Sequence, residues 1–340
     1  MTSKGNLFGQ NVVMFHPHPQ PLPRGERGEN IVPLSRFEWI TSVDQELTRL
    51  VRKNEVQYRA GRIVLELTEK KEGVVVTSRD LSNGNQFRET YDYVFLAAGA
   101  IGSTRIVLQS LRNFDTPVDL KHSQKFIIPM IQLRGDAIQW PEINAFASLF
   151  LDFQSSELSP HWIHGQISVT NDYVMARLGI SPFSSGWQTK LAKTLFRHLL
   201  IGWCGIHSNH SSSIRLTLSS EKQNGQHILK LIPQQVATST KFVKRALRIF
   251  GRITRQAGAF CVYPMLQIGA PGSGNHIGGT LPMRRHPESP LDTDVLGRLN
   301  HWHRVHIVDG SVFPSIPATT VALTQMANAD RIASAVPLEG

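Results

Sequence analysis

The chain has 340 residues, 41% hydrophobic and 18% charged, with a formal net charge of +10. This make-up belongs to a globular protein with a substantial buried core and excludes a chain that is disordered throughout. Two cysteines, Cys204 and Cys261, allow at most one disulfide and no cysteine-based metal site, so free, partly buried thiols are expected.

No apolar run approaches the roughly 18 residues that a membrane span needs. Residues 1–10 carry one lysine and no apolar segment of the kind a secretory signal requires, so a cytoplasmic location is expected. Residues 1–35 read as an atypical leader. Their run HPHPQPLPRGERGEN is dense in proline, glycine and charge and has little to bury, which predicts an extended or disordered segment. It resembles a translated bacterial intergenic repeat.

From Phe37 the pattern turns globular. FEWITSVDQELTRLVRK has helical spacing through Leu47 and Leu50. EVQYRAGRIVLELTEK and EGVVVTSRDLSNGNQFRETYDYVFLAAGA are β-branched runs that read as strands, with a hairpin at the turn SNGN. VFLAAGAIGSTRIVLQS reads as a buried strand, a small-residue turn and a helix beginning near Ser103, the pieces of a sheet flanked by helices.

Between about 116 and 270 the short runs FIIPMIQLRG, NAFASLFLDF, HGQISVTNDYVMARLG, SSIRLTLSS and HILKLIPQQ predict an antiparallel sheet. Two helices are expected to interrupt it. WQTKLAKTLFRHLLIGW carries Leu191, Leu195 and Leu199 on one face, suited to packing on the sheet rather than lying on a membrane surface. KFVKRALRIFGRITRQAG has an apolar stripe of Phe242, Ala246, Phe250, Ile253 and Ala257. Its opposite side carries Lys241, Lys244, Arg248, Arg252 and Arg255. A solvated basic face explains that pattern, and with no nucleic-acid motif or aromatic platform beside it, nucleic-acid binding is not expected.

RVHIVDGS reads as a short strand and turn, and VALTQMANADRIASAV as a helix with Leu323, Met326, Ala327 and Ile332 facing inward. His301 and His303, in HWHRVH, would share one face of a strand. Metal binding is the alternative to exposed histidines there, but no carboxylate or cysteine completes a ligand set, and no metal site is expected.

The chemistry concentrates in GSGNHIGGTLPM. Glycines on both sides of His276 let backbone approach a ligand closely, and an imidazole titrating near neutrality suits removal of a hydroxyl proton. HIGGTLPM resembles the His-x-x-Gly-Thr-x-x-Met segment of glucose–methanol–choline (GMC) flavin oxidoreductases. HIVDGSVFPSIPATTVALTQMANADRIA is similar to that family's closing segment, and YDYVFLAAGAIGSTRIVLQS to its strand–turn–helix ahead of the substrate domain. The three motifs keep the family's order, over about residues 37–336.

The resemblance implies an FAD-dependent oxidoreductase acting on the CH–OH group of a small-molecule alcohol, with His276 as base while hydride passes to the flavin. It implies an α/β fold: a partial Rossmann-like FAD/NAD(P)-binding domain over 36–115 and 283–340, and an antiparallel-sheet substrate domain over 116–282. Asp309 and Gly310 would lie against the ribityl and pyrophosphate region, beside Val321 and Ala322. Ala98 and Gly99 would allow close approach of the nucleotide, and the backbone of Ile63 and Val64 would face the adenine.

Two departures stand out. Where the family has Asn or His as the second polar residue, this chain has Thr320, whose hydroxyl donates or accepts a hydrogen bond but takes up no proton as imidazole does. No Gly-x-Gly-x-x-Gly loop occurs either. The chain therefore resembles the carboxy-terminal portion of a GMC enzyme behind an unrelated leader, expected to hold FAD weakly unless a separately encoded amino-terminal half joins it. A non-catalytic remnant or interaction module is the alternative.

Overall fold

The computed structural model describes residues 2–7, 10–15, 43–133, 149–169 and 198–337. The first strands are β1 (Thr2–Leu7) and β2 (Gln10–Phe15), where a leader without regular structure was expected. QNVVMF carries enough β-branched character to pair once a neighbouring strand is present. The proline-rich run that follows lies outside the described residues.

Helix α1 (Val43–Arg52) falls within the helical pattern read from 37 onward. Strands β3 (Val56–Arg59), β4 (Arg62–Lys70), β5 (Gly73–Asp80), β6 (Gln86–Tyr91) and β7 (Tyr93–Leu96) follow. The β5–β6 hairpin closes at SNGN as expected, with the Asp80 N–H donating to Asn85 O. Helix α2 (Gly99–Ser110) begins four residues before the expected Ser103. The glycine absorbs the turn, φ 77° at Gly99, so the helix starts directly off the strand.

Then come β8 (Pro117–His122), β9 (Lys125–Gln132), β10 (Leu149–Ser155), β11 (Ser159–Val169) and β12 (Leu199–Gly205). The helix expected across WQTKLAKTLFRHLLIGW is corrected at its end: Leu199–Gly205 is a strand, and the residues before 198 lie outside the described set. A short apolar run cannot be assigned to helix or strand by period alone, and pairing with β11 and β9 on both edges decides it. The chain continues through β13 (Ser213–Gln223), β14 (Gln226–Gln234), α3 (Ala237–Gln256), β15 (Ala259–Cys261), β16 (Gln267–Ile268), β17 (Ile277–Gly278), β18 (Val305–Ile307) and α4 (Ala322–Ala335).

Four sheets result. The first has the order β18–β7–β2–β1–β3, in which β18, β7 and β2 are parallel. Strands β4–β5–β6 form a second, antiparallel sheet. The largest runs β10–β11–β12–β9–β15, with β16 also on β9, and β14–β13–β8–β17 make the fourth.

One core joins residues between Val64 and Val107 to residues between Leu281 and Val321 around the parallel strands. A second lies between α3 and the large sheet. Phe242, Val243, Ala246, Leu247 and Phe250 of α3 are buried there, while the expected basic residues face solvent. Of the stripe read from sequence, Ala257 is exposed because the helix has ended at Gln256. Cys204 and Cys261 are free thiols.

The inward face expected for α4 is also corrected. Ile332 is buried, but Leu323 and Met326 are 79% and 62% exposed and Ala327 faces solvent. The helix packs through Ala329, Ile332 and the following Val336 against Phe95 and Val308, a stripe rotated from the one the sequence suggested.

Phe250 anchors the second core: it is fully buried and its ring fills the space above Gly165 and Gly202 of β11 and β12. Phe250→Ala is expected to cost roughly 3–5 kcal/mol, the range for emptying a packed aromatic site, measured as the shift of the urea unfolding midpoint. A loss under about 1 kcal/mol would mean that this core does not hold the helix to the sheet.

Candidate active site

His276 stands immediately before β17, which pairs with β8 as its edge strand. The N–H of Ser123, just beyond β8, donates to His276 O at 3.0 Å, so the imidazole is carried on a fixed backbone. Its Nδ1 is buried without a hydrogen-bond partner. Burial first, then the nearness of Lys125 and His164, push its pKa down to about 4. At neutral pH the ring is therefore uncharged, the form that accepts a proton.

The segment after His276 runs along the Asp309 turn. Gly279 N–H donates to Gly310 O, Leu281 N–H to Ser311 O and Met283 N–H to Val312 O, at 2.9, 2.9 and 2.8 Å. A Cβ on Gly278 would overlap the Gly310 carbonyl, so only glycine permits the approach. Asp309 follows β18, as Ala98 and Gly99 follow the adjacent parallel strand β7. These turns lie at the carboxyl ends of parallel strands, where α/β sheets bind ligands.

The Asp309 carboxylate is already engaged. Oδ1 accepts from Ser311 N at 2.9 Å and from Ser311 Oγ at 2.5 Å, and Oδ2 accepts from Ser103 Oγ of α2. Burial raises its pKa, and the serine hydrogen bonds pull against that rise. Asp309 thus ties the first turn of α2 to the turn after β18. Backbone N–H groups and space, rather than its carboxylate, are what this corner offers to a cofactor. Val321 precedes α4 with no side-chain cap, and Gln325 of the first α4 turn lies against Gly310, which brings Val321 and Ala322 to the same corner.

Ile63 and Val64 lie elsewhere, on β4, the edge strand of the second sheet, just before a bulge. Val64 turns its side chain into the core. Thr320 is exposed, two residues beyond Ala318, whose carbonyl is 3.5 Å from Ser123 Oγ. Ser123 therefore joins the His276 loop to the segment that bears Thr320. His301 and His303 sit in a turn before β18 rather than on a strand, and both are exposed. Among the described residues no group of three metal-ligating side chains occurs.

Sequence reasoning passed over two further residues beside His276. Lys125 opens β9, and its Nζ lies near Gly205 of the paired strand β12. His164 of β11 is buried, with Nδ1 2.5 Å from Asp152 Oδ1 and its ring stacked on Phe150. Gln166 Nε2 lies 3.1 Å from His164 Nε2; donation by the amide leaves the Nδ1 proton for the carboxylate. The signal available was the alternation in IHGQISV, where Ile163 and Ile167 face α3 and His164 and Gln166 take the other side.

A second imidazole group lies beside the segment that leads to Thr320. His161 and His207 stack at 3.7 Å, Ser159 Oγ and His210 Nε2 are 2.7 Å apart, and His207 Nε2 reaches Ser315 Oγ at 3.2 Å. Burial, with His161, His210 and Lys121 around it, holds His207 at about 4. A separate cavity of about 250 Å³ lies between α2 and the β13–β14 hairpin, lined by Arg88, Arg105, Arg112 and Lys222 among others.

Residues 211–329 match the GMC oxidoreductase family at its carboxy-terminal domain. Over that stretch the chain is similar to the GMC oxidoreductase carboxy-terminal domain, and the mixed α/β architecture with its antiparallel sheets matches a GMC oxidoreductase fold. Among solved structures it is similar to pyridoxine 4-oxidase from Mesorbium loti. The TM-score is 0.54 and the identity 17%, over 80% of this chain and 56% of the oxidase. The chain thus spans little more than half the length of that enzyme. No curated protein matches its sequence.

Both His276 and His207 have folded-state pKa values near 4, below the ordinary 6.5. The unfolded chain then binds more protons than the folded one between these values, so their contribution to stability is present above about 6.5 and lost as pH falls toward 4. The urea midpoint is expected to drop over that window, and His207→Gln to flatten the drop. A midpoint that rises on acidification would contradict the neutral-imidazole assignment.

Proposed function

We propose that this chain supplies the base and substrate sheet of an FAD-dependent oxidoreductase acting on the CH–OH group of a small alcohol. The observation that carries the reading is the uncharged imidazole of His276, its Nδ1 without a hydrogen-bond partner among the described residues, held by Ser123 and by the 277–283 segment beside the Asp309–Gly310 turn. His276 takes the hydroxyl proton. Thr320 offers the substrate oxygen one hydrogen bond, and His164 adds a second, carboxylate-oriented imidazole near the base. FAD, when bound, supplies the hydride acceptor.

The residues at the cofactor corner suit a dinucleotide through backbone. Ala98, Gly99, Asp309, Gly310, Val321 and Ala322 sit where strands end and helices begin, and Ile63 and Val64 lie on an edge strand whose outer backbone is available to an adenine. We assign 36–115 and 283–340 to the cofactor-binding part and 116–282 to the substrate part. No Gly-x-Gly-x-x-Gly loop stands in the 340 residues. We therefore place the diphosphate cradle on an amino-terminal unit outside these 340 residues.

The exposed apolar residues Leu323 and Met326 on α4 favour docking to another polypeptide, and they equally support a second reading, an interaction module without catalysis.

Flavin absorbance after gel filtration decides the first point. The chain alone is expected to emerge colourless and to retain FAD only with a flavin-binding partner, whereas a stoichiometric yellow protein would remove the need for one. Alcohol-dependent flavin reduction in the assembled enzyme decides the second. His276→Gln is expected to slow it roughly 10²–10⁴-fold, the usual contribution of a general base. Turnover unchanged by that substitution would leave the interaction module as the better reading.

A further inference from the structure

The face of the large sheet turned away from α3 carries Lys125. On β9 the residues Phe126, Ile128 and Met130 pack under α3, so Lys125 points to the opposite side, as does Gly205, its register partner. A Cβ on Gly205 would lie 2.6 Å from Ala318 O, 3.0 Å from Lys125 Nζ and 3.2 Å from Ser123 Oγ. The ammonium therefore sits between the backbone that holds His276 and the segment that ends in Thr320. The loop before His276 is tied to the same residue, because Gly269 N–H donates to Lys125 O at 2.8 Å.

Lys125 is partly buried, and among the described residues it makes no ion pair and its Nζ no hydrogen bond. Near it stand His276 and, in the core on the other face of the sheet, the Cys204 thiol, neither of which supplies a counter-charge. The carboxylate on this face, Asp152, is 2.5 Å from His164 Nδ1 and is committed there. Desolvation lowers the lysine's pKa, the sign of a cation that lacks its partner. Buried charges are ordinarily paired. Among the described residues no carboxylate pairs this half-buried ammonium, which stands beside the proposed base.

We propose that Lys125 is a specificity-determining residue that receives an anionic group of the substrate, so that the alcohol oxidised carries a carboxylate or a phosphate close to its CH–OH carbon. This rests on the function proposed above. The arrangement also couples binding to proton uptake. Burial is the main cause that keeps His276 uncharged, and an anion seated on Lys125 offsets the lysine's smaller addition to it, which raises the proton affinity of the base once substrate is in place.

The test is a calorimetric titration of the full chain near pH 7.5 and low ionic strength. The probes are glycolate and its neutral counterpart ethylene glycol, with inorganic phosphate as a third to separate carboxylate from phosphate. Glycolate or phosphate is expected to bind at least tenfold tighter than ethylene glycol. Lys125→Met is expected to remove that preference and Lys125→Arg to keep it.

Equal affinity for glycolate, phosphate and ethylene glycol overturns the proposal. So does anion binding that survives Lys125→Met, which would assign it to other cations such as those of the Arg88–Arg105 cavity. If Lys125→Met does not fold, Lys125→Gln takes its place under the same criterion. The readout needs no flavin. A protein that binds anions through Lys125 yet shows no alcohol-dependent flavin reduction even when assembled with a flavin-binding partner overturns the oxidoreductase reading alone. An enzyme that reduces its flavin equally with neutral and acidic alcohols, and is unaffected at Lys125, overturns this one alone.

Discussion

The site depends on a contact between two backbones with no side chain between them. Gly278 approaches the Gly310 carbonyl so closely that a methyl group could not be accommodated, and three successive hydrogen bonds then zip 279–283 to 310–312. The first of these segments begins at the imidazole and the second at the Asp309 turn. Their union sets base and cofactor corner in one frame, with Thr104 of α2 adding a buried 2.6 Å hydrogen bond to Thr280. Rigid elements hold a reacting group more precisely than free loops do.

Burial then sets the chemistry. His276, His207, Lys121 and Lys125 are all shifted toward their neutral forms, and desolvation is the leading cause in each case. In a chain of net charge +10 these groups are nonetheless withdrawn from solvent, while the basic residues of α3 stay exposed on the other side of the large sheet. Lys121 settles its charge on Pro314 O at 2.6 Å, and His164 settles on Asp152. Among the described residues Lys125 Nζ has no such contact, which is the basis for proposing that it receives a charge from the substrate.

Much of the architecture was legible in local pattern. The hairpin at SNGN, the strands on both sides of it, the antiparallel middle and the basic amphipathic helix each follow from period and turn chemistry. Where the reading failed, tertiary contacts had overridden an ambiguous local signal. LLIGW became a central strand because β9 and β11 claimed both its edges. The α4 stripe rotated because Phe95 and Val308 offered it a place to pack, leaving Leu323 and Met326 outside. Gln10–Phe15 joined a sheet because β7 offered a parallel edge, and Thr2–Leu7 because β2 and β3 flank it, and strands so distant along the chain lie beyond any local window.

Sequence by itself determined the histidine between glycines, the Asp-Gly turn and the order of the motifs, because these are properties of residue type and spacing along one chain. Only tertiary structure decided that His276 is uncharged, that the Asp309 carboxylate is spent on Ser103 and Ser311, and that Lys125 and His164 stand beside the base. Solvation and charge pairing depend on neighbours brought from distant strands. A lysine at the head of a strand looks the same in sequence whether it meets water, a carboxylate or an empty place for one.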